Sequence, residues 1–195
     1  MNKAEFDVLM YDMEEEMADR YIRAYWKLMP QLDEAAKNDD WEKVDSLIVL
    51  NPEIMEDGLK RVYLLLPDEY KYSIPIDCLT HHGDHMPGIR KYVRQARKYA
   101  PIEKRIPAEM IGLPEIEIYR AGEEPLDKAA YRISWTTSLD VAKWFYDRAV
   151  ARQQPQWHIY KGIIKPEKII CYTNDRQEQE VMQYNSVKDI VEIAR

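Results

Sequence analysis

Three short stretches place chemistry-bearing side chains at strand spacing. In residues 115–120, EIEIYR, the side chains of Ile116, Ile118 and Arg120 fall on one face, because side chains alternate along a strand. An arginine on an apolar face needs a partner, since an unpaired buried charge is very costly. An internal carboxylate would satisfy it. So would a ligand phosphate, which suits the bidentate guanidinium fork. In residues 134–138, SWTTS, the hydroxyls of Ser134, Thr136 and Ser138 share a side. They make either a polar shelf for a carboxylate or ligand, or an exposed strand whose threonines serve β-propensity. In residues 178–180, EQE, a strand would hold Glu178 and Glu180 on one side, roughly 7 Å apart. Like charges so placed raise one pKa. Such a pair can stabilise developing positive charge with one member and handle a proton with the other; two solvated glutamates would read the same.

Other chemistry-bearing groups are weaker. Cys78, His81, His82, Asp84 and His85 include metal-ligand types, but they lack a second spaced pair and Gly83 interrupts them. Histidines near a negative helix end are the simpler reading, and no metal is assigned. Residues 90–105 hold seven Lys or Arg and one Glu, whereas the first nineteen residues are rich in Asp and Glu. They read as two solvated helices that balance each other, or as a basic ledge that guides an anionic ligand.

The elements that must position these groups follow from periodicity. Phe6, Met10, Met13, Met17, Tyr21, Ala24 and Leu28 recur at helical steps. Asp39 to Glu42 resembles a capping box, with Asp39 in the cap position. Asn51-Pro52 reads as a second helix start. Pro75 should kink or end a helix, Gly83 should stop one, and Ile89, Val93 and Ala96 mark another. Residues 1–100 therefore read as about five short helices.

From residue 114 the period shortens. EIEIYR, YRISWTTS, WHIYKGII, EKIICYT and EQEVMQY read as short strands between turns, and SVKDIVEIAR, which alternates only weakly, brings the count to five or six. One helix interrupts them, capped by Ser138, with Val141, Ala142, Phe145 and Ala149 on its apolar face. The fold class is α+β: a helical region over 1–100 and a strand-rich unit over 101–195.

The chain has 195 residues, 46% hydrophobic and 32% charged, which is globular usage. The net charge of −7 argues against a protein built mainly to coat nucleic-acid phosphates. No apolar run reaches the ~18 residues of a membrane span, the N-terminus lacks a signal-peptide pattern, and two cysteines are too few for a disulfide scaffold. The expectation is a soluble, cytoplasmic protein without a membrane partner. Fourteen Tyr and five Trp against two Phe favour half-wet clefts or a shallow Tyr-rich core.

Taken in order, the three stretches resemble the Arg–Ser–Glu class of mono-ADP-ribosyltransferases of bacterial and phage type. Tyr119-Arg120 matches its first strand. Residues 134–138 followed by Ala142 and Phe145 match its second strand and helix, and Glu178-Gln179-Glu180-Val181 matches its Glu-x-Glu strand. The resemblance covers about residues 114–184. Two features depart from the pattern: Ala121 stands where the family usually has Gly, with Gly122 next, and the hydroxyl motif aligns either as Ser134-Trp135-Thr136 or as Thr136-Thr137-Ser138.

The resemblance implies a small split β-sandwich around an NAD cleft, and transfer of ADP-ribose from NAD to a protein or nucleic-acid acceptor without a metal. It implies that Glu180 is catalytic and that Glu178 orients or deprotonates the acceptor. Arg120, beside Tyr119, would hold NAD; Ser134, Thr136 and Ser138 would support Glu180 and the ribose; and the turn over 173–177 would choose the acceptor. A stand-alone enzyme of this kind would be a bacterial or phage toxin or effector, its helical region binding the target, an inhibitor or antitoxin, or another copy. Two rival readings are a non-enzymatic binding module in which Arg120 and Glu180 pair with each other, and an NAD glycohydrolase that uses water as acceptor.

Overall fold

The computed structural model describes residues 15–83, 87–153, 156–174 and 176–193. Phe6, Met10, Met13, most of the acidic start, Asp84, His85 and Asp175 lie outside the described residues. The protein is mixed α+β and divides into two compact units, one ending at Arg90 and one beginning at Lys91.

The first unit is helical: α1 (Glu15–Lys37), α2 (Trp41–Val49), α3 (Met55–Val62) and α4 (Asp68–His82), with α5 (Pro87–Ala96) running across the division. Leu32, Val44, Ile48, Ile54, Leu59 and Ile74 are fully buried, and α2 packs against α1, α3 and α4. Two local expectations are corrected, and one of two alternatives at Pro75 is decided. The cap of α2 is Asp40, whose carboxylate accepts from the Lys43 amide; Asp39 takes a left-handed φ of 55° one step earlier. Asn51 does not open α3: its amide donates back to the Leu47 carbonyl, and α3 begins at Met55 without a side-chain cap. Pro75 does not end α4, which continues to His82 and stops at Gly83. Burial of Ile74, Pro75 and Ile76 outweighs the one backbone bond a proline removes.

The second unit is a six-stranded antiparallel sheet of order β4-β5-β2-β1-β3-β6. Its strands are β1 (Ile116–Gly122), β2 (Ser134–Thr136), β3 (His158–Ile164), β4 (Cys171–Thr173), β5 (Glu180–Met182) and β6 (Lys188–Ile193). Short helices α6 (Ile102–Arg105) and α7 (Leu126–Ala129) flank β1, and α8 (Leu139–Ala151) packs against β1, β2 and β3. Ile118, Trp135, Tyr160, Ile164, Ile169 and Val181 form the core, with Ile106 from the segment before β1 packed into it. Ser138 caps α8 by accepting from the Val141 amide. All five expected strands and the weaker sixth are present; β2, β4 and β5, of three residues each, are shorter than the alternation predicts.

Candidate functional site

Backbone register sorts the candidate residues by face. β1 pairs Tyr119 with Thr136, and β2 pairs Thr136 with Glu180. Directly opposed residues share a face, so Tyr119, Ser134, Thr136 and Glu180 belong to one side of the sheet. Arg120, one step from Tyr119, belongs to the other, with Ile116 and Ile118.

Glu180 opens β5 and is buried. The Ser134 hydroxyl donates to its Oε1 at 2.6 Å. Arg176 approaches its Oε2 at 3.5 Å and bonds Glu178 Oε2 at 2.9 Å. Burial raises the Glu180 pKa above the ordinary carboxyl value. The Ser134 bond pulls it back, as do the charges of Arg176 and Arg120, while Glu178 pushes it further up. The structure therefore brings Ser134, Glu178 and Glu180 together.

Glu178 reaches this cluster by a different route from the one alternation predicts. It lies before β5, not on it, because Gln177 and Gln179 take left-handed φ values of 59° and 46°. Asn174 holds the turn by accepting the Gln179 amide on its side-chain oxygen. The hydroxyl shelf holds the same turn from the other side. Thr136 donates to the Glu178 carbonyl at 2.7 Å, and Thr137 donates to the Gln179 side chain at 3.0 Å. Thr136 also accepts the Ser138 amide. Of the three expected hydroxyls only Ser134 is bonded to a candidate catalytic carboxylate; Thr136 clamps the turn and Ser138 is a helix cap.

Arg120 has found an internal carboxylate, and it is Glu124 rather than Glu180. Its Nε donates to Glu124 Oε1 at 2.5 Å, and its Nη1 donates to the Ser134 carbonyl at 2.6 Å. Arg132 approaches the other Glu124 oxygen at 3.5 Å. Glu124 is buried, and Tyr160 donates its hydroxyl to the Glu124 carbonyl. Gly122 leaves room for this carboxylate, since a Cβ there would fall 2.5 Å from Glu124 Oε2. The glycine one place later than the family pattern thus has a physical role. Gln183, fully buried, donates to the Ala130 and Arg132 carbonyls and pins the turn that presents Arg132.

Tyr119 does not join either cluster. Its hydroxyl donates to Glu117, which also pairs with Lys161; the Glu117 bond, with desolvation second, pushes the phenol up to about 12. The histidine group is held by backbone: His81 meets the Asp77 carbonyl at 2.8 Å and His82 the Val49 carbonyl at 2.7 Å. Burial raises the Cys78 thiol. No metal-binding group of His, Cys, Asp or Glu occurs among the described residues. From the basic stretch, Arg105 is buried and donates to the Ile169 carbonyl, and Arg94 stacks on Tyr184 at 3.7 Å. Those two arginines serve the packing of the strand unit. Among the described residues, no helix is long and apolar enough to cross a membrane.

Sequence reasoning missed Glu124, Arg132 and Arg176. Glu124 lies four residues after Arg120, and Arg176 four before Glu180. Only the turns at Gly122 and Asn174 bring each pair together, so strand spacing alone gave no sign of them. Compared with known proteins, the chain matches no family model, no curated protein and no solved structure.

Proposed function

We propose that the protein is an NAD-dependent mono-ADP-ribosyltransferase of the Arg–Ser–Glu class, with residues 101–195 as a split β-sandwich-type catalytic core. The observation that carries this reading is the position of Ser134. Its hydroxyl holds Glu180, and its carbonyl holds Arg120. One residue thus joins a cluster with two guanidiniums around one carboxylate to a cluster with two carboxylates around one guanidinium.

That charge order suits NAD as substrate. The Arg120–Glu124–Arg132 cluster carries excess positive charge and fits the pyrophosphate; Arg120 starts from the opposite face and meets the Glu180 side at Ser134, the first residue of β2, so the ligand rounds the end of that strand. The Glu178–Glu180–Arg176 cluster carries excess negative charge and fits the nicotinamide ribose, where positive charge develops as the glycosidic bond breaks. Glu180, ionised and fixed by Ser134, stabilises the oxocarbenium-like transition state by preorganised electrostatics. Glu178 receives the proton of an incoming nitrogen nucleophile. Thr136 and Thr137 keep the turn that sets the separation of the two carboxylates. The acceptor is a protein or nucleic acid, and a bacterial or phage toxin or effector acting in the cytoplasm is the setting this chemistry fits.

A second reading has one observation in its favour. Arg120 is already bonded to a buried carboxylate and a carbonyl, as a residue with a purely architectural role would be. On that reading the protein is a binding module and ignores NAD. The test is incubation of the purified protein with NAD labelled in the adenylate, in a cell lysate, beside a thermal melt with and without NAD. A labelled macromolecule together with an NAD-induced rise in Tm supports the transferase; neither effect supports the binding module. An NAD-induced shift with NAD cleavage but no label marks the glycohydrolase.

A further inference from the structure

We infer that Arg176 is an internal acceptor: its guanidinium occupies the place of an external nucleophile and is itself the first group to be ADP-ribosylated. The inference rests on the transferase reading and adds a modification site to it. Arg176 Nη2 is 2.9 Å from Glu178 Oε2 and 3.5 Å from Glu180 Oε2, so one nitrogen faces both carboxylates. The side chain is half exposed. Asn174 and the threonines of 136–137 fix the neighbouring turn rather than the guanidinium itself. A guanidinium at this point is held by charge, which is how an external arginine or agmatine would be held.

In the modification step Arg176 Nη2 bonds to the anomeric carbon of the nicotinamide ribose. The bond from that carbon to the nicotinamide nitrogen breaks, its electron pair leaves with nicotinamide, and the proton from Nη2 passes to Glu178. No oxidant or reductant is required; NAD is the only co-reactant. The product keeps its guanidinium charge but carries the bulky, doubly anionic ADP-ribose, so it can no longer sit between the two carboxylates as before.

The test uses the full chain with NAD, intact-mass and peptide mapping, and agmatine as the added acceptor. The expected result is one ADP-ribose on the peptide containing Arg176, gained at a rate per molecule that does not change on dilution. Arg176→Lys, which keeps the charge and removes the guanidine, loses this label. Arg176→Ala, which also empties the place between the two carboxylates, loses the label too and modifies agmatine about fivefold faster at early times, the weight of a half-exposed ion pair. Nicotinamide release with Arg176 unmodified, labelling that slows on dilution, or unchanged agmatine kinetics in Arg176→Ala would each overturn the inference and leave the transferase reading standing. No nicotinamide release from the wild type, with or without agmatine, would overturn both.

Discussion

Two acid–arginine clusters on one sheet have opposite composition. Around Glu124, two guanidiniums share one buried carboxylate; around Arg176, two carboxylates share one half-exposed guanidinium. In the first, the carboxylate carries ion pairs on both oxygens and its backbone carbonyl accepts from Tyr160. In the second, the buried Glu180 keeps a raised pKa, because a hydroxyl and a distant guanidinium do not offset its desolvation. On the proposed reading, the first cluster holds the fold and offers its excess positive charge to the ligand, and the second holds the reacting groups. A buried charge that is well paired holds a fold, and removing one partner is strongly destabilising. A buried carboxylate that is under-compensated is a cost to the fold, and perturbed groups of this kind cluster at functional sites.

The sharpest way to break the comparison is to neutralise each central acid in turn. Glu180→Gln keeps volume and removes the charge, so nicotinamide release should fall about 100- to 1,000-fold, the range for loss of one preorganised electrostatic group. Its circular dichroism should not change. Glu124→Gln should do the reverse to the fold: denaturant titration should show a loss of about 3 kcal/mol, because two guanidiniums are left around a neutral amide. If Glu180→Gln unfolds the protein and Glu124→Gln does not, the roles assigned to the clusters are exchanged.

Ser134→Ala is the next largest expected effect, since it cuts the joint on one side only. Loss of a hydrogen bond to a charged group is worth roughly 1.5–3 kcal/mol, so the rate should drop at least tenfold. The hydroxyl lowers the Glu180 pKa, so its removal should move the acidic limb of the pH–rate profile to higher pH. The Arg120 bond to the Ser134 carbonyl survives, and stability should change less than in Glu124→Gln.

The smallest effect is on stability against pH. The folded pKa of Glu180 is raised, so the folded state binds a proton where the unfolded state has lost it. The protonated carboxyl therefore contributes stability that is fully present below the unfolded value of about 4.3 and is lost as pH rises through the folded pKa. Glu180→Gln, neutral throughout, should be more stable than the wild type at neutral pH, and the advantage should vanish in acid. Melting curves across that range decide the sign.

Much of the frame was legible because local rules and tertiary packing agree there. The strands of the second unit alternate over a shared core, and Ser138 sits where a cap must precede the run Val141, Ala142, Phe145, Ala149. The link between Ser134 and Glu180 was also implied by resemblance. What escaped was set by single backbone turns. Two left-handed glutamines take Glu178 off the strand while Arg176 keeps it beside Glu180. Gly122 lets Glu124 fold back under Arg120, so the arginine on the apolar face has a partner only four residues away. Periodicity reads faces along an element and is blind to side chains that a turn folds back onto it.

The most direct test of the account is nicotinamide release from NAD by the purified wild-type chain, measured with Glu180→Gln in parallel and with both proteins shown to be folded. Release by the wild type that is lost in the variant is the predicted result, and it would tie NAD cleavage to the carboxylate that Ser134 holds. Equal release by both would contradict the role of Glu180, and no release by a folded wild type would leave both clusters as architecture.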